Sequence, residues 1–444
     1  MKNIKKIIKY ILIFGILVLI LTTLLAGVAR IPKKYVEKNL KKAITYFENN
    51  NAEIKRTKRN KKYSYLHIYA DEIILNIIYC LDTQKPLKSV LEAKYYTEFQ
   101  NDGSNKKYVK LIQNNLQPNT EYLRYWHGSI IIVKPLLTIL TLEQIYILNL
   151  VILIILLGML IALLIKKKYY SIALALVIGL IAVAIWYVPF CFEYMWTFII
   201  MIVASIISLK IESNNYQNKN QKLYMLYFIT GMLTCFFDFL TTEIITILIP
   251  ITIVLSIRMK ENRLKDLKQE ATFLIKSLLV WGISYSFMWI SKWAISSVVL
   301  NINAIDFVKD RAMERINGKI ADIPTWKMMI ITIRNNLTTL YPINIIEQEK
   351  SIVVSIIIAI IVLLILTTDK KSKEKIKYMF LMIAIGIIPY IRYVVLLNHS
   401  YRHSFFTFRS QLTTIMCIVL ILVNCSDKKK LLSNIKMGKD KNEK

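Results

Sequence analysis

Apolar runs long enough to cross a lipid bilayer recur along most of the chain, with polar segments between them. The first extends from Ile11 to Val28, and nine more lie near residues 144–165, 171–190, 195–210, 223–240, 244–258, 271–291, 351–368, 377–397 and 411–425. About 20 apolar residues in a helix cross the roughly 30 Å hydrocarbon core of a membrane. The pattern therefore predicts an all-α integral membrane protein with about ten transmembrane helices.

A cleaved signal peptide is the alternative interpretation of the first run. Lysines precede the run, and the small residues Ala26 and Gly27 stand near its end. The apolar part is longer than the core of an ordinary signal peptide, which favours an uncleaved first helix over residues 1–29.

Two long polar segments interrupt the apolar pattern. In the first, residues 30–142, the stretch at 34–48 repeats apolar residues on one helical face, which is typical of a helix in the membrane interface: Val36, Leu40, Ala43, Ile44 and Phe47. The run at 129–140 is short and is interrupted by Lys134 and Pro135, so we predict an interfacial or re-entrant piece.

The second polar segment covers residues 292–350. It contains DFVKDRAMERINGKIADIP, which indicates a polar helix, and WKMMIITI, which indicates another interfacial piece. The chain is thus divided into a first span (1–29), a first loop (30–142), spans two to seven (143–291), a second loop (292–350), spans eight to ten (351–425) and a basic tail (426–444).

The positive charge is distributed as in a membrane protein. The chain has 444 residues, 55% of them hydrophobic, and a formal net charge of +30. Lysines and arginines cluster in alternate connections, at Lys166–Lys168, Lys219–Lys222, Arg258–Lys268 and Lys370–Lys377, and in the tail. By the positive-inside rule both termini and these connections are cytoplasmic and both long loops are external. We predict a multi-pass protein of the bacterial cytoplasmic membrane, with the lipid bilayer rather than nucleic acid as its partner.

The stretch YADEIILNIIYCLD at 69–82 places two adjacent carboxylates, Asp71 and Glu72, at the head of an amphipathic helix in the first loop. Such a pair could act catalytically as a base or a metal ligand. The alternative is structural, because aspartate is a common helix N-cap and the helix dipole favours an acid in the first turn. Asp82 and Asp238 are rival catalytic carboxylates.

Further polar and aromatic residues fall near the same predicted membrane surface, and we expect them to bind substrate: Arg124, Trp126, His127, Glu243, Lys292, Arg392, His399, Arg402, His403 and Arg409. Ionisable residues at membrane depth are costly and are therefore usually paired or functional. Alternatives remain open: Asp238 and Glu243 could form structural bridges with Lys292 or Arg392, the basic residues of NHSYRHSFFTFR could contact headgroups, and Trp126 could belong to the aromatic belt.

Glycosyl transfer from a lipid-linked donor would use such a set. A carboxylate can deprotonate an acceptor hydroxyl or hold a divalent metal ion on the donor phosphate, while arginines and histidines neutralise the phosphate. A divalent metal ion is the one cofactor that this chemistry would use. Five cysteines are scattered without a CxxC motif, so neither a disulfide framework nor a zinc site is indicated.

The layout resembles GT-C-type membrane glycosyltransferases, in which one span leads into a large external loop that carries interfacial helices and a catalytic Asp or Asp-Glu pair. The first span, the helix at 34–48, Asp71-Glu72 and the run at 129–140 match in order, although in that family the acids follow the first span more closely. The stretches DEIILNIIYCLD, RYWHG and SYRHSFFTFR are also similar to an uncharacterised family of polytopic proteins of low-GC Gram-positive bacteria.

The resemblance implies a membrane glycosyltransferase that moves a sugar from a polyprenyl-phosphate donor to a cell-envelope acceptor on the external face. The alternatives are a transporter or flippase of an envelope lipid or polymer, and a non-catalytic membrane scaffold. A transporter would need polar residues deep in the bundle, whereas the span centres are nearly all apolar.

Overall fold

A computed structural model describes residues 2–49, 68–98, 106–214, 216–317, 323–340 and 372–425. Within them the fold is all-helical, and the only β feature is an isolated bridge between Tyr95 and Thr120. The predicted span at 351–368 and the basic tail lie outside the described residues.

The helices, numbered here in chain order through the described residues, are α1 (Lys2–Ala29), α2 (Lys33–Asn49), α3 (Tyr69–Cys80), α4 (Pro86–Glu92), α5 (Lys106–Gln113), α6 (Ile130–Leu136), α7 (Leu142–Lys166), α8 (Tyr170–Ala182), α9 (Phe192–Ser213), α10 (Lys219–Phe237), α11 (Ile245–Lys260), α12 (Leu267–Leu300), α13 (Ala304–Asn317), α14 (Thr325–Thr338), α15 (Lys373–Val395), α16 (Leu397–Arg402), α17 (Ser404–Thr407) and α18 (Leu412–Cys425). Single 3-10 turns occupy Ile185–Phe190 and Phe408–Gln411.

Six stretches of the described chain are long and apolar enough to cross a bilayer. They are Ile4–Ala29, Leu142–Lys166, Phe192–Ser213, Leu267–Leu300, Lys373–Val395 and Ser404–Cys425. Each coincides with a predicted span. The all-helical class is thereby confirmed, and six such helices are consistent with a multi-pass protein in a lipid bilayer.

Three more predicted spans form helices outside this set. Helix α8 has 13 residues and so rises only about 20 Å, which is short for the hydrocarbon core. Helices α10 and α11 are the other two. Every residue of α11 from Ile245 to Arg258 is buried, so this helix forms the centre of the bundle. A helix that is apolar on all sides is expected in that position.

Helices α10 and α12 approach each other closely at Gly231. A Cβ added there would collide with the Ser284 hydroxyl and the Trp281 carbonyl. Glycine therefore lets the two backbones approach each other, as small residues do between membrane helices.

The bundle has two polar ends. At the acidic-pair end, which carries Asp71 and Glu72, helices α1, α10, α12 and α15 finish and α7, α9 and α11 begin. At the lysine end, which carries Lys166–Lys168, Arg258 joins Glu212 (3.1 Å) and Glu270 (2.7 Å) in a buried ion network. Charge is thus concentrated at the two ends of the apolar helices.

The amphipathic helix predicted at 34–48 exists as α2, but its apolar face is covered by protein. Val36, Leu40, Ala43 and Phe47 are buried, and the Tyr108 hydroxyl donates to the Leu40 carbonyl at 2.7 Å. The periodicity therefore reflects packing against α5 rather than an apolar face open to lipid. Within the segment 129–140, which was predicted to be interfacial or re-entrant, residues Ile130–Leu136 form the seven-residue helix α6.

Candidate functional site

A cleft of about 120 Å³ opens at the acidic-pair end of the bundle. It lies between α3, the 122–125 segment, the start of α9, the α10–α11 link and α16–α17. The residues that line it are mostly aromatic, with one carboxylate and two imidazoles: Tyr69, Ala70, Ile73, Tyr122, Tyr125, Glu193, Phe239, His399, His403, Phe405 and Phe406. Aromatic walls with a few polar groups are typical of small-molecule sites.

Glu193 supplies the carboxylate of the cleft. It lies in the first turn of α9, and its side chain is only 8% exposed. The helix dipole stabilises a negative charge at this position. Glu193 is not among the site residues predicted from the sequence, although it is the single charged residue in an otherwise apolar link between two predicted spans.

Asp71 lies beside the cleft and points away from it. Its carboxylate is fully buried and accepts the Phe192 backbone N–H at 2.9 and 3.0 Å and the Tyr146 hydroxyl at 2.7 Å. The Glu193 backbone also bonds to this carboxylate. Asp71 therefore holds the N-terminal turn of α9, the turn from which the Glu193 side chain enters the cleft.

Glu72 likewise binds the N-terminal turn of another helix, α5. Its Oε1 accepts the Tyr108 backbone N–H at 2.7 Å, in the first turn of α5. Helix α3 itself begins at Tyr69 after Ile68, with no side-chain cap. Glu72 does lie in the first turn of α3, but Asp71 also lies there and is not the N-cap that the structural alternative proposed. Both acids bind the N-termini of other helices.

Burial is the largest cause of the pKa shifts of Asp71 and Glu72. It raises the pKa of Asp71 from 3.8 to about 7 and that of Glu72 from 4.5 to about 7, and hydrogen bonds to the carboxyl groups offset only part of this effect. The second oxygen of Glu72 is buried and accepts no hydrogen bond from the described residues. A neutral carboxylic acid suits that environment better than a carboxylate.

We expect the stability of this region to fall as pH rises. The folded state binds protons that the unfolded chain releases between about pH 4 and 7, so the stabilisation is complete below that window and is lost through about pH 7. Glu72→Gln cannot ionise and should remove roughly 1–3 kcal/mol of the pH dependence between pH 5 and 8. Thermal melting of the purified protein at both pH values measures it.

Glu121→Gln is the matched control, because Glu121 is an exposed glutamate of the same loop. It should melt with the wild-type pH dependence. Identical pH profiles for wild type and Glu72→Gln would show that Glu72 is ionised in the folded protein.

Two buried lysines donate hydrogen bonds to backbone carbonyls at helix C-termini, whereas the two acids accept backbone N–H groups at N-termini. Lys134 donates to the Ala29 carbonyl at the end of α1 (2.9 Å), and Lys292 donates to the Leu91 carbonyl in the last turn of α4 (2.7 Å). Cations are favoured at helix C-termini. Lys292, predicted to bind substrate, is fully buried and is not among the residues that line the cleft.

The predicted residues Arg124, Trp126 and His127 pack behind the cleft. Arg124 lies over the Tyr125 ring at 5.0 Å, and the Trp126 indole donates to the Met288 carbonyl at 2.9 Å. His127 is buried beside the Tyr122 carbonyl (3.2 Å), and burial lowers its pKa to about 3. These side chains support the tyrosine wall, and none of them lines the cleft.

Glu243 and Arg392 form a buried ion pair. The guanidinium meets the carboxylate through two nitrogens, at 2.9 and 3.1 Å, and also donates to the Leu240 carbonyl at 2.8 Å. The structural bridge between Glu243 and Arg392 is confirmed. Asp238 instead accepts the Thr241 backbone N–H and hydroxyl within its own link.

The histidines of NHSYRHSFFTFR are the basic residues that reach the cleft. His399 and His403 are one helical turn apart, with ring centroids 4.8 Å apart, and the His399 ring contacts the Leu240 carbonyl at 2.7 Å. Arg409 lies buried over the Tyr194 ring at 4.3 Å and interacts electrostatically with Glu193. Arg402 is exposed.

Of the predicted site residues, His399 and His403 line the cleft, and Arg409 lies buried behind it. Glu193, which was not predicted, lines the cleft with them. The structure buries the side chains of Asp71, Glu72, Asp238 and Arg392 in other contacts. Among the described residues, no three His, Cys, Asp or Glu side chains are grouped closely enough to hold a metal ion. The cleft therefore offers a carboxylate base, two imidazoles and aromatic faces.

Comparison of this chain with protein-family models, with curated proteins and with solved structures finds no match.

Proposed function

We propose that this protein is a membrane glycosyltransferase that moves a sugar from a polyprenyl-phosphate donor to a cell-envelope acceptor. The observation that carries the proposal is the cleft in which Glu193 shares an aromatic chamber with His399 and His403, at the end of the apolar helices. The GT-C-like layout of the first loop supports the same reaction.

In the proposed reaction Glu193 is the general base. Its carboxylate takes the proton from the acceptor hydroxyl, and the oxygen attacks the anomeric carbon of the donor. The bond from that carbon to the phosphate oxygen breaks with its electron pair, so polyprenyl phosphate leaves with the added negative charge. His399 and His403 donate hydrogen bonds to that phosphate, and Arg409 adds positive charge nearby.

The aromatic residues hold the sugar. Tyr69, Tyr122 and Tyr125 present apolar ring faces together with polar hydroxyls, and Phe239 closes the wall. Such side chains bury the apolar face of a ligand while offering a hydrogen bond at its edge.

Asp71 has a positioning role in this proposal. It bonds the α9 backbone at Phe192 and Glu193 and so fixes where the base enters the cleft. Asp71 thus acts through Glu193, a glutamate of another helix.

The proposed topology has ten spans in the bacterial cytoplasmic membrane, with both termini cytoplasmic. The lysine end, with Lys166–Lys168 and Arg258–Lys268, then faces the cytoplasm by the positive-inside rule. The cleft opens to the external face, where a lipid-linked sugar donor is presented.

The test is Glu193→Gln, which keeps the size of the side chain and removes its basicity. In a strain that lacks the wild-type gene, we expect Glu193→Gln to reduce sugar incorporation into the envelope acceptor by at least about 100-fold. Glu143→Gln is the matched control, since Glu143 is an exposed acid in the first turn of α7. The measurement is the sugar composition of the envelope polymers.

Unchanged envelope composition with a normally inserted Glu193→Gln protein would refute the proposal. If the gene deletion instead causes a lipid-linked precursor to accumulate on the inner leaflet, the alternative of a flippase is favoured.

A further inference from the structure

A second pocket, of about 480 Å³, lies at the lysine end of the bundle, opposite the cleft. The start of α8, the end of α11 and the end of α18 enclose it. Its lining residues combine hydrogen-bond donors with apolar side chains: Tyr170, Ser171, Leu174, Met259, Lys260, Val423 and Asn424.

The polar part of this pocket is basic. The Lys260 ammonium has three N–H groups, and among the described residues it donates a hydrogen bond to the Lys168 carbonyl. Tyr170, Ser171 and Asn424 add two hydroxyls and an amide, and no carboxylate is among the lining residues. The exposed side chains of Lys166–Lys168 stand on the adjoining α7–α8 turn.

The carboxylate adjacent to Lys260 in sequence has other partners. Glu261 follows Lys260, but it pairs with Arg263 at 2.5 Å and accepts the Tyr169 hydroxyl. The described residues that line the pocket include one cationic side chain, Lys260, and no carboxylate, which favours an anion as the ligand.

The apolar part of the pocket continues along an exposed apolar side of α8. Leu174, Ile178 and Ile181 follow one another at helical spacing, and they are 49%, 37% and 41% exposed. These three residues form an apolar track, and a ligand whose charged group binds Lys260 has room for a hydrocarbon chain along it. A soluble phosphate ester would leave the track unused.

We propose that this pocket binds the headgroup of an anionic phospholipid, with the phosphate at Lys260 and one acyl chain along α8. Basic pockets between membrane helices on the cytoplasmic side are suited to such headgroups. The site is independent of the proposed transferase cleft, which lies at the other end of the helices.

The test is lipid binding to the full-length protein in neutral detergent, measured with fluorescent phosphatidylglycerol at low salt. Lys260→Gln should weaken binding about fivefold, as expected for one ammonium at a membrane surface. Lys268→Gln is the matched control, because Lys268 is an exposed lysine at the same end outside the pocket. It should bind phosphatidylglycerol as the wild type does.

Ser171→Phe tests the cavity without changing charge, and it should also weaken binding by filling the pocket. Size-exclusion profiles check that each variant is folded. Phosphatidylcholine should bind weakly to the wild type, and millimolar inorganic phosphate should not displace phosphatidylglycerol.

Three outcomes would overturn the proposal. Equal losses in Lys260→Gln and Lys268→Gln would show diffuse surface attraction. Unchanged binding in folded Ser171→Phe would place the lipid elsewhere. Displacement by inorganic phosphate would identify a soluble anion as the ligand.

Discussion

Arg392→Met should lower the free energy of unfolding by about 3–5 kcal/mol, because it leaves the Glu243 carboxylate buried without its cation. Arg392 and Glu243 are 6% and 4% exposed, and two guanidinium nitrogens meet the two carboxylate oxygens. Arg392 also donates to the Leu240 carbonyl and the Ser400 hydroxyl, so the change weakens the joint between the α10–α11 link and α16. Unfolding in mixed detergent micelles measures the loss.

Arg402→Met is the matched control, since Arg402 is an exposed arginine ten positions further along the same region. It should cost less than about 0.5 kcal/mol. The double variant Arg392→Met/Glu243→Gln should lose less free energy of unfolding than the two single variants lose in sum, because no unpaired charge remains. Equal costs for Arg392→Met and Arg402→Met would show that the ion pair does not hold the links together.

Asp71→Ala should lower the free energy of unfolding by about 2–5 kcal/mol. The change removes the acceptor of the Phe192 N–H and of the Tyr146 hydroxyl. Each buried donor that is left without a partner costs about 1–3 kcal/mol. Because Asp71 holds the start of α9, the loss should be accompanied by a displaced Glu193 and reduced sugar transfer.

Asp71→Asn keeps a side-chain oxygen acceptor in place and removes the ability of the side chain to ionise. The amide oxygen can still accept the Phe192 N–H, so we expect less than half of the loss seen with alanine. Asp82→Ala is the matched control from the end of the same segment, where Asp82 is exposed and accepts the Gln84 N–H in a turn. A loss for Asp71→Ala no greater than for Asp82→Ala would contradict the anchoring role.

Four buried ionisable side chains in or against the first loop follow one physical rule. Acids bind helix N-termini, as Asp71 does at α9 and Glu72 at α5, and lysines bind helix C-termini, as Lys134 does at α1 and Lys292 at α4. Each side chain supplies the hydrogen-bonding group that its helix end lacks, because carboxyl oxygens accept backbone N–H groups and ammonium groups donate to backbone carbonyls. The loop is thereby attached to the bundle by contacts that sequence patterns do not reveal.

Most of the described spans could be predicted from hydropathy, because the requirement for an apolar surface along a helix in lipid is local. Six predicted spans coincide with long apolar helices. The amphipathic face of α2 was located correctly, but its partner was not. Periodicity reports that one face is apolar, and whether lipid or α5 covers that face depends on the tertiary fold.

The candidate site was only partly predictable. His399 and His403 were selected as basic residues near a predicted membrane surface, and both line the cleft. Glu193 stands in a short link with apolar neighbours, so no local pattern marks it as a site residue. Arg392 was expected to bind substrate, but it meets Glu243 across 149 positions of sequence, and a pairing over that separation leaves no local signal.

The sequence by itself determined the all-helical membrane class and the presence of two adjacent acids at the head of α3. It could do so because hydropathy and helical periodicity act over a few neighbouring residues. Only the tertiary structure decided what those acids do. Their partners are the N-termini of α5 and α9, at Tyr108 and Phe192, which packing alone brings to α3. The same packing, by turning Asp71 into the protein, leaves Glu193 as the carboxylate of the cleft.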